Sequence, residues 1–267
     1  MYEELKNMIE ESNSIVFFGG AGVSTESGIP DFRSEKGLYN AKQEYGRSPE
    51  EMLSIDFFER DPVTFFDYYK KNLIATWAKP NDAHLALAKL EEEGKLKAVI
   101  TQNIDGLHQL AGSKKVYELH GSVHRNRCRW CGKKYGLDYV LDENNCKDPE
   151  GRVDGVPRCS CGGIVKPEVV LYGEMLDEDC IRHSVNAISN ADMLIIGGTS
   201  LAVYPAAGFV NYFRGKHLVV INMSATAMDR NADLVIRDPI GKVFKETVLY
   251  CVRKKERLFT PEKRFEG

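Results

Sequence analysis

The strongest constraint on the fold of this chain is a set of six short apolar runs that do not alternate with polar residues. Such runs are typical of strands covered on both faces, as in a parallel sheet. They occupy residues 14–18, 96–101, 116–119, 193–196, 218–222 and 234–236. Helical patterns lie between or after them, at 84–93, 179–190 and 239–257. This order predicts an α/β fold with a Rossmann-like, doubly wound parallel sheet.

The spacing of the apolar runs indicates two insertions in that core. The interval between the first two runs is much longer than the roughly 30 residues of a simple strand–helix–strand unit. We expect a helical insertion over 31–81 and a small zinc-binding module over 122–167. The Rossmann-like core would then consist of residues 1–30, 82–121 and 168–267.

Composition excludes several classes of protein. The 267 residues carry 36 basic and 39 acidic side chains, and this net charge of −3 gives no general attraction for nucleic acid or anionic lipid. No apolar run reaches the length of about 18 residues that a membrane span needs, so no membrane association is expected. The acidic start of the chain does not resemble a secretion signal, and we expect a cytoplasmic location.

Four of the seven cysteines form two close pairs. In a chain without a secretion signal, such pairs indicate metal ligation before disulfides. We expect the four thiolates to bind one structural zinc ion in a closed tetrahedral shell, which leaves no position for catalysis. The pairs are a C-x-x-C and a C-x-C motif, formed by Cys128, Cys131, Cys159 and Cys161.

Two alternatives stay open for this module. Cys146 is a spare ligand, although it lies in the polar segment 142–155, which is expected to be a loose, mobile tip. Basic residues near the first cysteine pair would suit a nucleic-acid-binding ribbon, but such charge is more often a solvated face, so nucleic acid is not the expected partner. These basic residues are Arg125, Arg127, Arg129, Lys133 and Lys134.

Small and polar residues follow five of the predicted strands, at the ends where open parallel sheets bind ligands. In chain order these groups are Gly20-Ala21-Gly22, Gln102-Asn103-Ile104-Asp105, His120, Gly198-Thr199-Ser200 and Asn222. The first glycines let backbone amides approach a pyrophosphate. A histidine at this edge, with an ordinary pKa of about 6.5, can take up a proton at neutral pH.

Several of these side chains also have a purely structural interpretation. His120 would then be a hydrogen-bonded structural residue, and Gln102 and Asn103 would cap their strand. Asp105 would cap a helix that starts at Gly106. The convergence of five strand ends on one edge favours a ligand site instead.

The loop after the first strand departs from a dehydrogenase fingerprint, which disfavours a dehydrogenase. Thr25 stands where a third glycine is expected, and the helical insertion replaces the strand that should end in a ribose-binding acid. Pro30 ends the following helix early. We expect the next residues to return over the cofactor as a flap that keeps water out, although the arginine would also suit a surface ion pair. They are Asp31, Phe32 and Arg33.

Six motifs, in order over nearly the whole chain, resemble the sirtuin family, and in particular its bacterial-type deacetylases. They are G-A-G-V-S-T-E-S-G-I-P-D-F-R (20–33), T-Q-N-I-D-G-L-H (101–108), E-L-H-G (118–121), K-P-E-V-V-L-Y-G-E (166–174), G-T-S-L-A-V-Y-P (198–205) and V-I-N (220–222). The paired cysteines add to the likeness. Their second pair is C-x-C where many relatives have C-x-x-C, so a contribution from Cys146 is kept open.

The resemblance implies an NAD-dependent protein lysine deacetylase that transfers the acetyl group to ADP-ribose and releases nicotinamide, O-acetyl-ADP-ribose and lysine. His120 would act as the general base, and Asn103 would lie near the reacting water. Ile104 and Asp105 would hold the nicotinamide carboxamide. By motif match the NAD site comprises Gly20, Ala21, Gly22, Thr25, Phe32, Arg33, Gln102, Asn103, Ile104, Asp105, His120, Gly198, Thr199, Ser200, Asn222 and Ile240.

The resemblance also implies that an acetylated-lysine protein binds as an extended strand between 169–172 and 201–204, through unpaired backbone on each side. The substrate-binding residues would be Val169, Val170, Leu171, Tyr172 and Val203. Relatives that prefer succinyl or malonyl groups carry Tyr-x-x-Arg in the helical insertion. This chain has Lys71 or Asn72 at the matching positions, so a neutral acyl group, acetyl first, is expected.

Two other functions would use the same features. A mono-ADP-ribosyltransferase could use the same NAD pocket but would leave ADP-ribose on the protein. A zinc-ribbon regulatory protein could bind nucleotide or nucleic acid without turnover.

Overall fold

The structure is a computed structural model that describes residues 2–30 and 42–250. The described residues form nine strands, β1 (Ile15–Gly19), β2 (Leu96–Thr101), β3 (Val116–Glu118), β4 (Gly121–Cys128), β5 (Lys134–Tyr135), β6 (Val165–Val169), β7 (Met193–Gly197), β8 (His217–Ile221) and β9 (Leu234–Ile236). Six of them form a parallel sheet in the order β3-β2-β1-β7-β8-β9. All six predicted strands are confirmed to within one residue at each end. The strand order reverses between β1 and β7, which is where open α/β sheets bind ligands.

The central strand β1 shows why these runs lack alternation. All five of its residues are buried, because helices cover both faces of the sheet. Since side chains of a strand point to opposite faces in turn, Ile15 and Phe17 enter one hydrophobic cluster while Val16 and Phe18 enter another. Both faces therefore need apolar residues, and the sequence pattern follows.

Nine helices flank the sheets in the described residues, and none of them is long and apolar enough to cross a membrane. They are α1 (Tyr2–Glu11), α2 (Pro49–Met52), α3 (Ile55–Arg60), α4 (Pro62–Asn72), α5 (Asp82–Glu92), α6 (Leu107–Leu110), α7 (Leu137–Leu141), α8 (Glu178–Ser189) and α9 (Ile240–Phe244). The predicted helices at 84–93 and 179–190 correspond to α5 and α8. The predicted C-terminal helix begins as α9 and continues through a π-helical turn at Lys245–Leu249, and its last residues lie outside the described part of the chain.

The two insertions share one hydrophobic cluster, although the sequence presents them as separate. Strands β4, β5 and β6 form a small antiparallel sheet in the order β5-β4-β6. Phe58 and Phe65 from the helical insertion pack in the same cluster as Val123 and Val165 from that sheet. We call the whole hydrophobic cluster that contains these four side chains the insertion cluster. We propose the division into the core (1–30, 82–121, 168–267), the helical insertion (31–81) and the zinc-binding module (122–167), because the antiparallel sheet is separate from the six-stranded sheet.

Residues 142–155 form local ion pairs and contain one buried side chain. Arg152 Nε donates to Asp148 Oδ2 (2.7 Å), and Arg158 Nη2 donates to Asp154 Oδ2 (2.6 Å). Cys146 is wholly buried. The charged residues of this segment pair with one another and with the adjoining chain, while the expected mobility of the tip stays a prediction.

Candidate active site

The carboxyl ends of the central strands reach the same edge of the sheet. Gly19 pairs in register with Thr101 on β2 and with Gly197 on β7. Thr101 in turn pairs with Glu118, and Gly197 pairs with Ile221. The register therefore gathers the predicted site residues along one edge, where the strand ends are followed by Gly20, Gln102, His120, Gly198 and Asn222.

Two glycine loops close tightly on each other at this edge. The N–H of Gly22 donates to the carbonyl of Gly198 (2.8 Å), and a Cβ on Gly22 would lie 2.8 Å from the Cα of Gly198. Gly198 has a φ of +58°, and a Cβ there would lie 2.4 Å from the backbone nitrogen of Val23. Both positions therefore need glycine for packing, in addition to any approach of a phosphate. Gln102 Nε2 donates to Thr199 Oγ1 (3.0 Å) and joins the second strand end to this loop.

A buried serine links two of the predicted site residues. Ser24 Oγ donates to Asp105 Oδ2 (2.7 Å) and accepts a hydrogen bond from Asn103 Nδ2 (3.0 Å). The other carboxylate oxygen of Asp105 accepts the N–H of Leu107 (2.9 Å). Asp105 thus bonds the start of α6, as the capping interpretation predicts, and its place in the ligand site stays a prediction that this bond does not exclude.

Ser24 is a residue that the sequence argument missed. Its side chain is only 1% exposed, so the hydroxyl depends on these partners for its hydrogen bonds. A small hydroxyl residue two positions after the Gly20-Ala21-Gly22 loop could have marked Ser24 as a candidate site residue. Its role could not be predicted, because its partners Asn103 and Asp105 come close to it only in the folded chain.

His120 is held in one tautomer. Its Nδ1 lies 3.1 Å from the carbonyl oxygen of Gln102. Because a carbonyl can only accept, Nδ1 carries the proton and Nε2 keeps the lone pair. Burial lowers the pKa of His120 below its ordinary value, and the hydrogen bond to the Gln102 carbonyl opposes this shift. The neutral ring, whose Nε2 can accept a proton, therefore predominates at neutral pH.

The remaining predicted cofactor residues on the first two strand ends lie around the same edge. Ala21 and Thr25 belong to two short 3-10 turns, Ala21–Val23 and Thr25–Ser27, that replace a long helix after β1. Thr25 Oγ1 donates to the carbonyl of Gly22 (3.0 Å). Ile104 is half-buried and packs against the insertion cluster.

The predicted adenosine-side residues differ in their exposure. Ser200 is exposed, and Asn222 Nδ2 donates to the carbonyl of Ser224 in its own loop (2.8 Å). The Ile240 side chain is buried in the core (3% exposed), so its contact with an adenine stays a prediction. Two predicted residues fall in 31–41, outside the described part of the chain: Phe32 and Arg33.

The backbone of 169–172 differs from expectation. The N–H groups of Val170, Leu171 and Tyr172 all donate within the chain. Their acceptors are, in that order, the His120 carbonyl (3.0 Å), the Glu174 carboxylate (2.8 Å) and the Leu53 carbonyl (2.9 Å). The expectation that these N–H groups are unpaired is therefore wrong, because neighbouring loops and one carboxylate already bond them.

Side chains of the predicted substrate segments point in two directions. Val169 (6% exposed) and Leu171 (2%) are buried in the insertion cluster. Val170 and Val203 are half-buried, and Tyr172 is exposed. Only the last three therefore offer side-chain surface to a bound peptide.

The four paired cysteines converge on one point. Their Sγ atoms lie within 4.8 Å of one another, with Cys128 and Cys161 3.4 Å apart and Cys131 and Cys159 3.5 Å apart. A tetrahedral zinc ion with Zn–S distances of about 2.3 Å needs sulfurs about 3.8 Å apart, so the tetrad fits zinc. Tyr135 Oη donates to Cys159 Sγ (2.9 Å) and supports the shell from outside. The C-x-C spacing therefore does not disturb the tetrad, which is positioned to bind one zinc ion.

Cys146 lies apart from this tetrad. Its Sγ accepts a hydrogen bond from Lys70 Nζ (3.3 Å) and lies 3.5 Å from the carbonyl of Val140. This thiol joins the zinc-binding module to the helical insertion. The tetrad forms without it, so a contribution to the zinc shell is not needed.

Comparison with known proteins gives a consistent result. The model of the Sir2 family matches residues 20–205. An NAD-dependent protein deacetylase of Clostridium acetobutylicum is 60% identical over 247 residues, which cover 92% of this chain and 97% of that protein. A protein of the same name from Staphylococcus aureus is 46% identical over 244 residues, covering 91% and 96%.

Solved structures agree. A Sir2 variant with a deacetylated peptide and 3′-O-acetyl-ADP-ribose superimposes with a TM-score of 0.81 at 38% identity, covering 92% of this chain and 98% of that one. A Sir2 structure bound to an acetylated peptide gives a TM-score of 0.79 at 36% identity, covering 97% and 99%.

Proposed function

The chain belongs to the Sir2 family and is an NAD-dependent protein deacetylase, and from this premise we propose which of its residues carry out the reaction. Bound NAD supplies ADP-ribose as the acceptor of the acetyl group and nicotinamide as the leaving group. The observation that carries the proposal is the fixed tautomer of His120 at the ligand-binding edge of the sheet.

His120 is the general base. The Gln102 carbonyl holds the proton on Nδ1, which leaves the Nε2 lone pair to accept a proton from a ribose hydroxyl. The same hydrogen bond fixes the plane of the ring, so the base needs no reorientation before it acts. A shift of the pKa below its ordinary value keeps the ring unprotonated at neutral pH.

The glycine loops and the strand ends beside them hold NAD. The N–H groups of Gly22 and Gly198 already donate within the chain, to the carbonyls of Gly198 (2.8 Å) and Ile221 (3.0 Å). These two glycines therefore serve the close packing of the loops, and the pyrophosphate would bind other backbone amides of the same loops. We assign Thr199, Ser200 and Asn222, which follow β7 and β8, to the adenosine half of NAD. The remaining cofactor contacts that we propose are those of Gly20, Ala21, Thr25, Phe32, Arg33, Gln102, Ile104 and Ile240.

Asn103, Ser24 and Asp105 form the nicotinamide side. Asp105 would accept the carboxamide of nicotinamide, with the backbone of Ile104 beside it. Ser24 donates to Asp105 and accepts from Asn103, so one hydroxyl orients both side chains. Asn103 would then present its amide oxygen to the nicotinamide ribose and the reacting water.

The substrate is an acetyl-lysine protein segment that lies between 169–172 and 201–204. The Sir2 neighbour bound to an acetylated peptide supports this choice of substrate. Since three N–H groups of the first segment donate within the chain, the peptide would bond other backbone groups or displace the Glu174 carboxylate. Val170, Tyr172 and Val203 would contact its side chains. The four clustered thiols suit a reducing compartment, and we propose the cytoplasm.

Removal of the Ser24 hydroxyl is expected to lower kcat/KM for NAD about tenfold or more. Asn103 and Asp105, both half-buried, would each lose one hydrogen bond, and each such bond contributes about 0.5–1.5 kcal/mol. The measurement is the initial rate of deacetylation by Ser24→Ala with NAD varied. Ser27→Ala is the control, because its hydroxyl accepts from Asn81 and touches neither site residue. Equal kcat/KM values in the two variants would contradict the linking role of Ser24.

The pH dependence follows from His120. The base works only when unprotonated, and its pKa in the folded protein is shifted below the ordinary value of about 6.5. We therefore expect kcat/KM to be constant on the acidic side of neutrality and to fall only below about pH 6.5. A fall that begins above pH 7 would show that another group controls the acidic limb.

Succinyl-lysine peptides are expected to react at least tenfold more slowly than acetyl-lysine peptides of the same sequence. A succinyl carboxylate needs a free cation, but Lys71 Nζ already donates to Asp67 (2.9 Å) and Glu44 (3.1 Å). Lys71→Ala should leave the ratio of the two rates unchanged. Faster removal of succinyl than of acetyl by the unmodified enzyme would contradict the assignment.

The proposed function is tested by stoichiometry. One nicotinamide should be released for each acetyl-lysine that is deacetylated, and release should depend on the acetylated peptide. Nicotinamide release at the same rate without peptide would identify an NAD glycohydrolase instead. The unacetylated peptide serves as the matched control.

A further inference from the structure

Two histidines are buried side by side beneath the loop that carries Asp105. His84 on α5 is 0% exposed and His108 on α6 is 1% exposed. Their ring centroids lie 4.7 Å apart with an interplanar angle of 58°, and Phe17 packs on the second ring. Buried polar groups normally find hydrogen-bond partners, so this apolar setting requires an explanation.

His84 offers one buried donor. Its Nδ1 accepts the N–H of Asn81 (3.2 Å), which places the lone pair on Nδ1. Burial lowers the pKa of His84 to about 4, and the charge of Asp105 acts in the opposite direction. The ring is therefore neutral at pH 7 and carries its proton on Nε2. That nitrogen has no hydrogen-bond partner among the described residues.

His108 complements this donor. Burial, followed by the neighbouring His84, lowers its pKa to about 3, so it is also neutral and has one donor and one acceptor nitrogen. Both nitrogens lack a partner within residues 2–30 and 42–250, as does the buried Oγ of Ser113. Ser113 adjoins the pair, since its N–H donates to the carbonyl of His108 (3.0 Å). Three neighbouring residues thus carry buried donor and acceptor atoms that have no partner in the described part of the chain.

The pair is coupled to the site through α6. Asp105 Oδ1 accepts the N–H of Leu107, the residue next to His108, and His108 and Leu107 are the buried residues of this short helix. A shift of α6 that followed a change in the packing of His108 would therefore move the N–H that bonds the Asp105 carboxylate. His124 Nε2 also lies 3.1 Å from the Asp105 carbonyl oxygen, so the backbone of the same residue has a second contact.

We propose that His108, paired with His84, is a positioning residue that holds Asp105 in register for the nicotinamide half of NAD. This proposal rests on the assignment of Asp105 to nicotinamide. Neither histidine touches the ligand, and each acts through the packing of α6 and the carboxylate that this helix orients. A purely structural pair would be exchangeable for apolar residues of similar size without a change in NAD kinetics.

The test compares His108→Leu, which keeps the volume but no polar atom, with His108→Gln, which keeps a donor and an acceptor. In His108→Leu we expect KM for NAD to rise at least fivefold and inhibition by nicotinamide to weaken by a similar factor. KM for the acetylated peptide and the unfolding midpoint should stay unchanged. His108→Gln should recover most of the loss. His84→Asn can still accept the N–H of Asn81 with its amide oxygen, but it loses the ring that lies against His108, so it should reproduce the effect of His108→Leu.

Two results would overturn the proposal. One is an unchanged KM for NAD in both His108→Leu and His84→Asn. The other is a rise in the KM for NAD that is accompanied by an equal rise in the KM for the peptide or by a lower unfolding midpoint. The histidine pair would then serve only the stability of the fold.

The variant Asp105→Asn separates this inference from its premise. If that variant also leaves NAD and nicotinamide binding unchanged, the assignment of Asp105 fails; if it weakens them while the histidine variants do not, only the present inference fails.

Discussion

Replacing His120 with alanine is expected to lower kcat for deacetylation by a factor of about 10²–10⁴, the usual contribution of a positioned general base. The physical reason is the loss of the Nε2 lone pair, which the bond from Nδ1 to the Gln102 carbonyl directs toward the ligand edge. KM for the peptide should change little, because the ring is not part of the proposed peptide cleft. Steady-state rates with both substrates saturating measure the effect.

The matched control is His183→Ala. His183 is an exposed histidine on α8 whose ring stacks on Tyr117, away from the glycine loops. This variant should keep full activity, and both variants should keep zinc content and the unfolding midpoint of the unmodified protein. If His120→Ala retained more than about a tenth of the activity, another group would have to be the base.

Removal of the zinc ligand Cys159 is expected to have the second large effect. Cys159→Ala should lose the single zinc ion, because three thiolates cannot complete the tetrahedral shell. Binding of structural zinc contributes about 10–16 kcal/mol to the folding of zinc-finger peptides, so the small sheet should lose its order. Loss of zinc should also disturb the packing of the helical insertion, because Cys128 and Cys159 belong to the same hydrophobic cluster. Strand β4 also begins directly after His120, so we expect activity to fall at least tenfold.

Metal content and thermal unfolding measure this effect together with the rate. Cys180→Ala is the control, because Cys180 is a half-buried thiol on α8 outside the tetrad. It should keep one zinc per chain and the unmodified rate. Retention of zinc and full activity by Cys159→Ala would contradict a structural role for the tetrad.

The parts of this protein that follow from sequence are those set by short-range patterns. Strand β1 is apolar on both faces because it lies in the middle of a covered sheet, and this shows directly in its residues. Each cysteine pair brings two sulfurs together within a few residues of sequence. Only one long-range contact, between the two pairs, is then needed to form the tetrad, so the sequence was enough to predict it. The placement of His120 and Gln102 at one edge was predicted because parallel strands end there.

The parts that sequence did not predict depend on contacts between distant residues. Ser24 is informative only because Asn103 and Asp105 approach it across the strand ends. The shared insertion cluster likewise requires that residues near Phe58 meet residues near Val165. In 142–155, polar composition indicated disorder, but the charges of that segment pair locally.

Backbone hydrogen bonds were the least predictable feature. The N–H of Leu171 is taken by the Glu174 carboxylate, which also pairs with Lys166 (2.9 Å). The sequence pattern of 169–172 does not reveal whether its backbone N–H groups are already bonded within the chain or are free to bind a peptide. A substrate strand at this position must therefore compete with a side chain for one of its hydrogen bonds.

The central claim is that this chain transfers the acetyl group of acetyl-lysine to the ADP-ribose of NAD. The most direct test is to incubate the enzyme with an acetyl-lysine peptide, with and without NAD, and to weigh every product. We predict free lysine peptide, nicotinamide and O-acetyl-ADP-ribose in equal amounts, and no reaction without NAD. Free acetate formed without NAD, ADP-ribose retained on the peptide, or the appearance of NADH would contradict the claim.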